Sequence, residues 1–107
     1  MKPQSQIFGC WELRGSEPPV DFGERVQIQF DPDGGLTYGA LESGKWQVML
    51  MSYRTKGSTL VTDQPTNPRE ESTPFEVRPD GMLELEFGGS VCNFERIPDL
   101  SFDIQKH

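Results

Sequence analysis

The stretch Gly9-Cys10-Trp11-Glu12-Leu13 decides how the rest of the chain is read. Gly9, Trp11 and Leu13 alternate with Cys10 and Glu12, the period of a strand that buries one face. A glycine two residues before an indole leaves room beside that large ring. So early in the chain, the strand predicts a tryptophan at one end of whatever sheet it opens.

Seven further runs follow with the same period. Glu24 to Phe30 sets Val26, Ile28 and Phe30 against Arg25, Gln27 and Gln29. Asp31-Pro32-Asp33-Gly34-Gly35 is a turn signal, and Leu36, Tyr38 and Ala40 resume a strand that ends at Glu42-Ser43-Gly44. Lys45 to Thr55 is the longest run, Ser58 to Asp63 a short one, and Thr73 to Arg78, Met82 to Phe87 and Ser90 to Arg96 complete the set. Two longer polar connections, 15–23 and 64–72, interrupt otherwise tight reversals. No stretch carries a helical period. The reading is all-β: eight short strands in an antiparallel up-and-down order, which closes into a barrel because closure removes exposed edges. Residues 1–107 form one domain in this reading, with the barrel over about 8–96 and a tail over 97–107.

The formal net charge of -7 disfavours phosphate backbones and anionic lipid surfaces, so neither nucleic acid nor membrane is an expected partner. No apolar leader core opens the chain, and Cys10 and Cys92 suit a reducing compartment, so the expected location is cytoplasmic. By alternation Cys10 points outward and Cys92 inward, which predicts two free thiols. His107 is the single histidine and ends the chain, so no histidine-based catalysis or histidine metal site is expected, nor any cofactor. The expectation is a protein that is not an enzyme.

Alternating strand directions put the connections at 31–35, 55–57 and 79–81 at one end and both long ones at the other. The tight-turn end is then closed and the long-loop end is a mouth. Trp11 and Arg96 meet at the closed end on neighbouring strands, where a guanidinium lying on the indole contributes about 0.5–2 kcal/mol. Gly9-x-Trp11 on a first strand, eight meandering strands and Arg96 on the last one resemble the lipocalin-like (calycin) barrels over roughly residues 8–96. The resemblance implies that Gly9, Trp11 and Arg96 form a structural plug. It also implies a binding role for the opposite end.

The expected function is binding of a small apolar or amphipathic molecule at the mouth. Phe22, Tyr38, Trp46, Leu60 and Phe75 are the candidate lining, and Asp63, Gln64 and Arg69 the candidate polar contacts at the rim. Lys45 to Thr55 is apolar on both faces: Trp46, Val48 and Leu50 are predicted inward, Met49, Met51 and Tyr53 outward. An outer stripe of that kind supports an alternative, an interaction module with a filled core. It would homodimerise through Met49, Met51 and Tyr53, unless the tail at Leu100-Ser101-Phe102 covers them.

Overall fold

The computed structural model describes residues 4–19, 23–63, 70–87 and 89–102, with backbone alone for Gln4, Ser5 and Phe87. A 3₁₀ turn over Gln4–Ile7 leads into β1 (Gly9–Glu17), followed by β2 (Arg25–Phe30), β3 (Gly35–Glu42) and β4 (Lys45–Lys56). β5 (Thr59–Asp63), β6 (Glu70–Val77), β7 (Leu83–Phe87) and β8 (Ser90–Ile97) complete the order. Each strand pairs antiparallel with the next, and β8 returns to β1, so the sheet is a closed barrel. β1 and β6 each extend three residues further into the long connections than the alternation predicts. β1 accommodates the extra length with a register shift between Leu13 and Gly15.

Local chemistry places the reversals. Asp31 accepts from the Gly34 amide at 3.1 Å, while the Asp33 carboxylate accepts from the Gly35 amide at 2.9 Å. Ser43 and Gly44 both hold positive φ (52° and 77°), a two-residue hairpin loop whose twist matches the strands it joins. That loop sets Glu42 opposite Lys45 and thereby the facing of all of β4.

The facing predicted for β4 is wrong by one residue. Tyr38 and Ala40 face inward on β3, so their partners Met49 and Gln47 face inward too, along with Met51 and Tyr53. Tyr53 is 5% exposed, sits edge-on to Phe30 with ring centroids 5.1 Å apart, and donates to the Asp31 carbonyl at 2.6 Å. Trp46, Val48 and Leu50 are on the outside. A strand apolar on both faces gives the period no means to choose between them. A reversal counted as three residues (42–44) has the opposite parity from the two-residue loop that forms.

Part of the outer face of β1 to β4 is covered by the chain's own tail, while Val48 and Leu50 on β4 stay exposed. The Ser101 amide donates to Gln27 Oε1 at 2.7 Å, and Gln27 Nε2 returns a bond to Ser101 Oγ at 2.9 Å. Phe102 stacks on Trp46 with centroids 4.8 Å apart and fills the notch above Gly39, where an added Cβ would lie 2.4 Å from its ring. Beneath the strap, Gln27 is 0% and Glu12 7% exposed although both are on the outside of the barrel. Arg25 grips Glu12 with two bonds, at 2.8 and 3.1 Å, and holds its carboxyl below the usual range.

A candidate ligand chamber at the long-loop end

The closed end is built first, because it determines where an opening can be. Trp11 is 0% exposed, pairs with Arg96 across the β1–β8 seam, and donates through Nε1 to the Ile7 carbonyl at 2.9 Å. The Arg96 guanidinium carbon lies 4.2 Å from the indole centroid. The same side chain donates to the Phe8 carbonyl at 2.6 Å and the Gln6 carbonyl at 3.0 Å. Gly9 holds φ 113°, which strains any residue with a side chain, and a Cβ there would stand 2.8 Å from Arg96 Nη1 and push the guanidinium aside. Ile7, Phe30, Leu36, Leu83 and Phe94 pack with Trp11, and all are buried. Among the described residues this end is sealed by buried side chains.

Toward the long loops the inward-facing side chains change character. Tyr38 is half-buried, and Met49, its partner on β4, is 39% exposed despite facing the interior. Thr62 shares the inward face of Tyr53, and Thr73 that of Leu60; both threonines are half-buried. Gln47 and Glu71, inward by register, are exposed. Side chains that face the barrel axis yet meet solvent mark an opening, here bounded by β3, β4, β5 and β6. Leu60, Phe75, Leu85 and Cys92, inward on β5 to β8, are all buried.

The titratable groups in this region are subdued. Burial, reinforced by the nearby charge of Glu42, pushes the Tyr38 phenol up. Burial also raises the Cys92 thiol. Both stay protonated at neutral pH, which makes them weak nucleophiles. Cys10 and Cys92 are free thiols on opposite faces of the sheet.

Of the residues predicted for the mouth, Tyr38 lines the opening, while Leu60 and Phe75 lie beneath it in the core. Trp46 is on the outer surface between Phe102 and Arg25, whose guanidinium carbon is 5.6 Å from its ring. Asp63 pairs with Ser52 on the outward face of β5. Phe22, Gln64 and Arg69 lie outside the described residues. The dimer seam expected of Met49, Met51 and Tyr53 is not on the outside: Tyr53 is in the core, Met51 packs against it and Met49 faces the opening. Thr62, Thr73 and Gln47 were missed. Their signal was present, since polar residues on an otherwise apolar inward face suit a wetted interior.

A separate groove of about 190 Å³ runs outside the barrel along β6 to β8, lined by Pro74, Phe75, Glu76, Glu84, Glu86 and Val91. Arg78 answers Glu84 there at 3.6 Å. Among the described residues no cluster of histidine, cysteine or carboxylate groups could hold a metal ion.

No family model and no curated protein matches the chain. Among solved structures it is similar to a lipocalin-like protein from Bacteroides uniformis ATCC 8492, at 18% sequence identity and a TM-score of 0.67. The likeness covers 86% of this chain and 99% of that one. An eight-stranded meander closed β8 to β1 over an arginine-covered tryptophan leads to the same conclusion as that likeness: the chain folds as a lipocalin-like antiparallel β-barrel.

Proposed function

We propose that the protein binds one small apolar or amphipathic molecule, without chemical conversion, in the chamber bounded by Tyr38, Met49, Thr62 and Thr73. The supporting observation is the contrast along the barrel axis. Inward side chains are sealed around Trp11 and solvent-accessible around Met49. An eight-stranded barrel is just wide enough to hold one small ligand when its interior is not filled by side chains. The methionine thioethers suit ligands of irregular shape, and the two threonine hydroxyls offer donors and acceptors at the wall. Binding is favoured over catalysis because the inward nucleophile candidates, Tyr38 and Cys92, are both pushed toward their protonated forms.

Titration with a neutral polarity-sensitive dye such as N-phenyl-1-naphthylamine tests this. The expected result is saturable one-to-one binding that Thr73→Phe weakens at least tenfold while the variant keeps its unfolding midpoint. A linear, unsaturable signal, or equal binding by the filled variant, would refute a chamber at this end.

A further inference from the structure

Polar side chains that face the barrel interior fall into two groups. The first is paired within the protein. Trp11 Nε1 donates to the Ile7 carbonyl at 2.9 Å, the Tyr53 hydroxyl to the Asp31 carbonyl at 2.6 Å, and Ser90 Oγ to the Pro18 carbonyl at 2.7 Å. The second group lines the opening. Tyr38 faces the axis from β3, Thr62 from β5 and Thr73 from β6, all half-buried. None of these hydroxyls has a hydrogen-bond partner among the described residues. A protein satisfies the polar groups that it buries for its own stability. Hydroxyls left open on an inward wall are available to a guest.

The charged groups above these hydroxyls are already answered. Glu42 stands opposite Lys45 at the end of the β3–β4 hairpin, and Glu71 is engaged by a neighbouring group. Below that rim the inward side chains of β3 to β6 are Tyr38, Met49, Met51, Thr62 and Thr73, none of them charged. An ionic head drawn past the rim gives up water and meets no counter-charge, which costs far more than moving a neutral group. A neutral oxygen exchanges its water for a hydroxyl of the wall and loses little. The Tyr38 phenol, raised by burial and by the charge of Glu42, keeps its proton at neutral pH and serves as a donor.

We infer that the chamber selects uncharged amphiphiles with a hydrogen-bonding oxygen, such as alcohols, ketones or esters, over carboxylates and ammonium compounds of the same chain length, with Tyr38 as the donor to that oxygen. The inference rests on the binding role proposed above and adds the polar group of the ligand. The apolar body lies against Met49 and Met51, whose flexible thioethers adapt to its shape. The threonine hydroxyls both donate and accept, so they serve an alcohol as well as a carbonyl. Tyr38 is then the residue that sets specificity, because its ring packs against the core and fixes where its hydroxyl stands.

The test is competition for the neutral dye at pH 7.5 by four ligands with the same ten-carbon chain: decanol, 2-decanone, decanoate and decyltrimethylammonium. Decanol and 2-decanone should displace the dye at about tenfold lower concentration than either ion, reflecting the cost of drawing a charge out of water. Tyr38→Phe keeps the ring and removes the donor. It should weaken 2-decanone, which only accepts, by about threefold to tenfold, the net contribution of one hydrogen bond. Dye affinity and the unfolding midpoint should hold in that variant. Either ion competing as well as decanol overturns selection for neutral ligands and leaves the chamber standing. Ketone affinity unchanged in Tyr38→Phe overturns the role of the phenol, and with it the inference. Decanol binding that survives in Thr73→Phe lies outside the chamber and also overturns it. Absence of saturable dye binding in the parent protein removes the chamber itself.

Discussion

Trp11 and Glu12 are adjacent, and each is buried on its own side of the same strand. Trp11 combines a core indole, a hydrogen bond to Ile7 and a guanidinium above its ring. Trp11→Ala should lower the unfolding free energy by about 3–5 kcal/mol in urea titrations, the range for a buried aromatic truncated to alanine. A loss below about 1 kcal/mol would mean that the closed end does not depend on it. Glu12 makes a prediction with a pH sign. Its folded carboxyl, held by Arg25 and then Gln27, releases its proton at lower pH than in the unfolded chain. The unfolded state therefore binds more protons across that interval, and stability rises with pH. The contribution is complete above the ordinary glutamate value of about 4.3 and disappears as pH falls through the folded value. Glu12→Gln should cost about 1–3 kcal/mol at pH 7, with the difference from the parent protein narrowing steadily below about pH 4. A difference that does not vary with pH would sink the assignment.

At the scale of elements, the tail strap and β4 explain each other. Residues 98–102 lie over strands whose outward side chains would otherwise leave Gln27 and Glu12 in water. The strap ends with Phe102 in the Gly39 notch against Trp46. Gly39→Ala should displace that ring and lower stability by about 1–3 kcal/mol, as overpacking does. In a Phe102→Ala background the same change should be nearly neutral, so a double-mutant cycle in urea should show coupling of at least about 1 kcal/mol. Additive costs would show that Phe102 does not occupy the notch in solution. This pairing was only half legible in the sequence. Leu100 and Phe102 marked the tail as a covering segment, but the notch is the absence of a side chain on β3, which alternation cannot reveal. The inversion of β4 has a similar origin, since Trp46-x-Val48-x-Leu50 and Met49-x-Met51-x-Tyr53 are equally apolar. Only the loop at Ser43-Gly44 breaks the tie.

For the whole molecule, the meander, its closure and the meeting of Trp11 with Arg96 were readable because each follows from counting strands and alternating their direction. The site was harder. Residues chosen for size, such as Leu60 and Phe75, went to the core, because large apolar side chains are what a small barrel uses to fill itself. The opening is lined instead by threonine, methionine and tyrosine, residues that tolerate a half-wet wall. Its acidity was visible only as a net charge of -7. Among the described residues the strand order gathers seven carboxylates, Glu17, Glu24, Glu42, Asp63, Glu70, Glu71 and Glu86, at or next to the strand ends on that side.

The seam between β1 and β8 has a mechanical consequence. Cys10 pairs with Ile97, so both ends of the barrel chain leave from adjacent antiparallel strands on the same side. Tension applied to the two termini then loads the ladder hydrogen bonds one pair at a time, as a zip is opened, and never all together in shear. Once the Ser101 bonds to Gln27 and the Phe102 ring in its notch have yielded, the pair that meets the force is next to Arg96, whose bonds to Phe8 and Gln6 tie the last strand to the segment before the first. A residue that serves at rest as the cover of a tryptophan becomes, under load, the catch that keeps the barrel from unrolling.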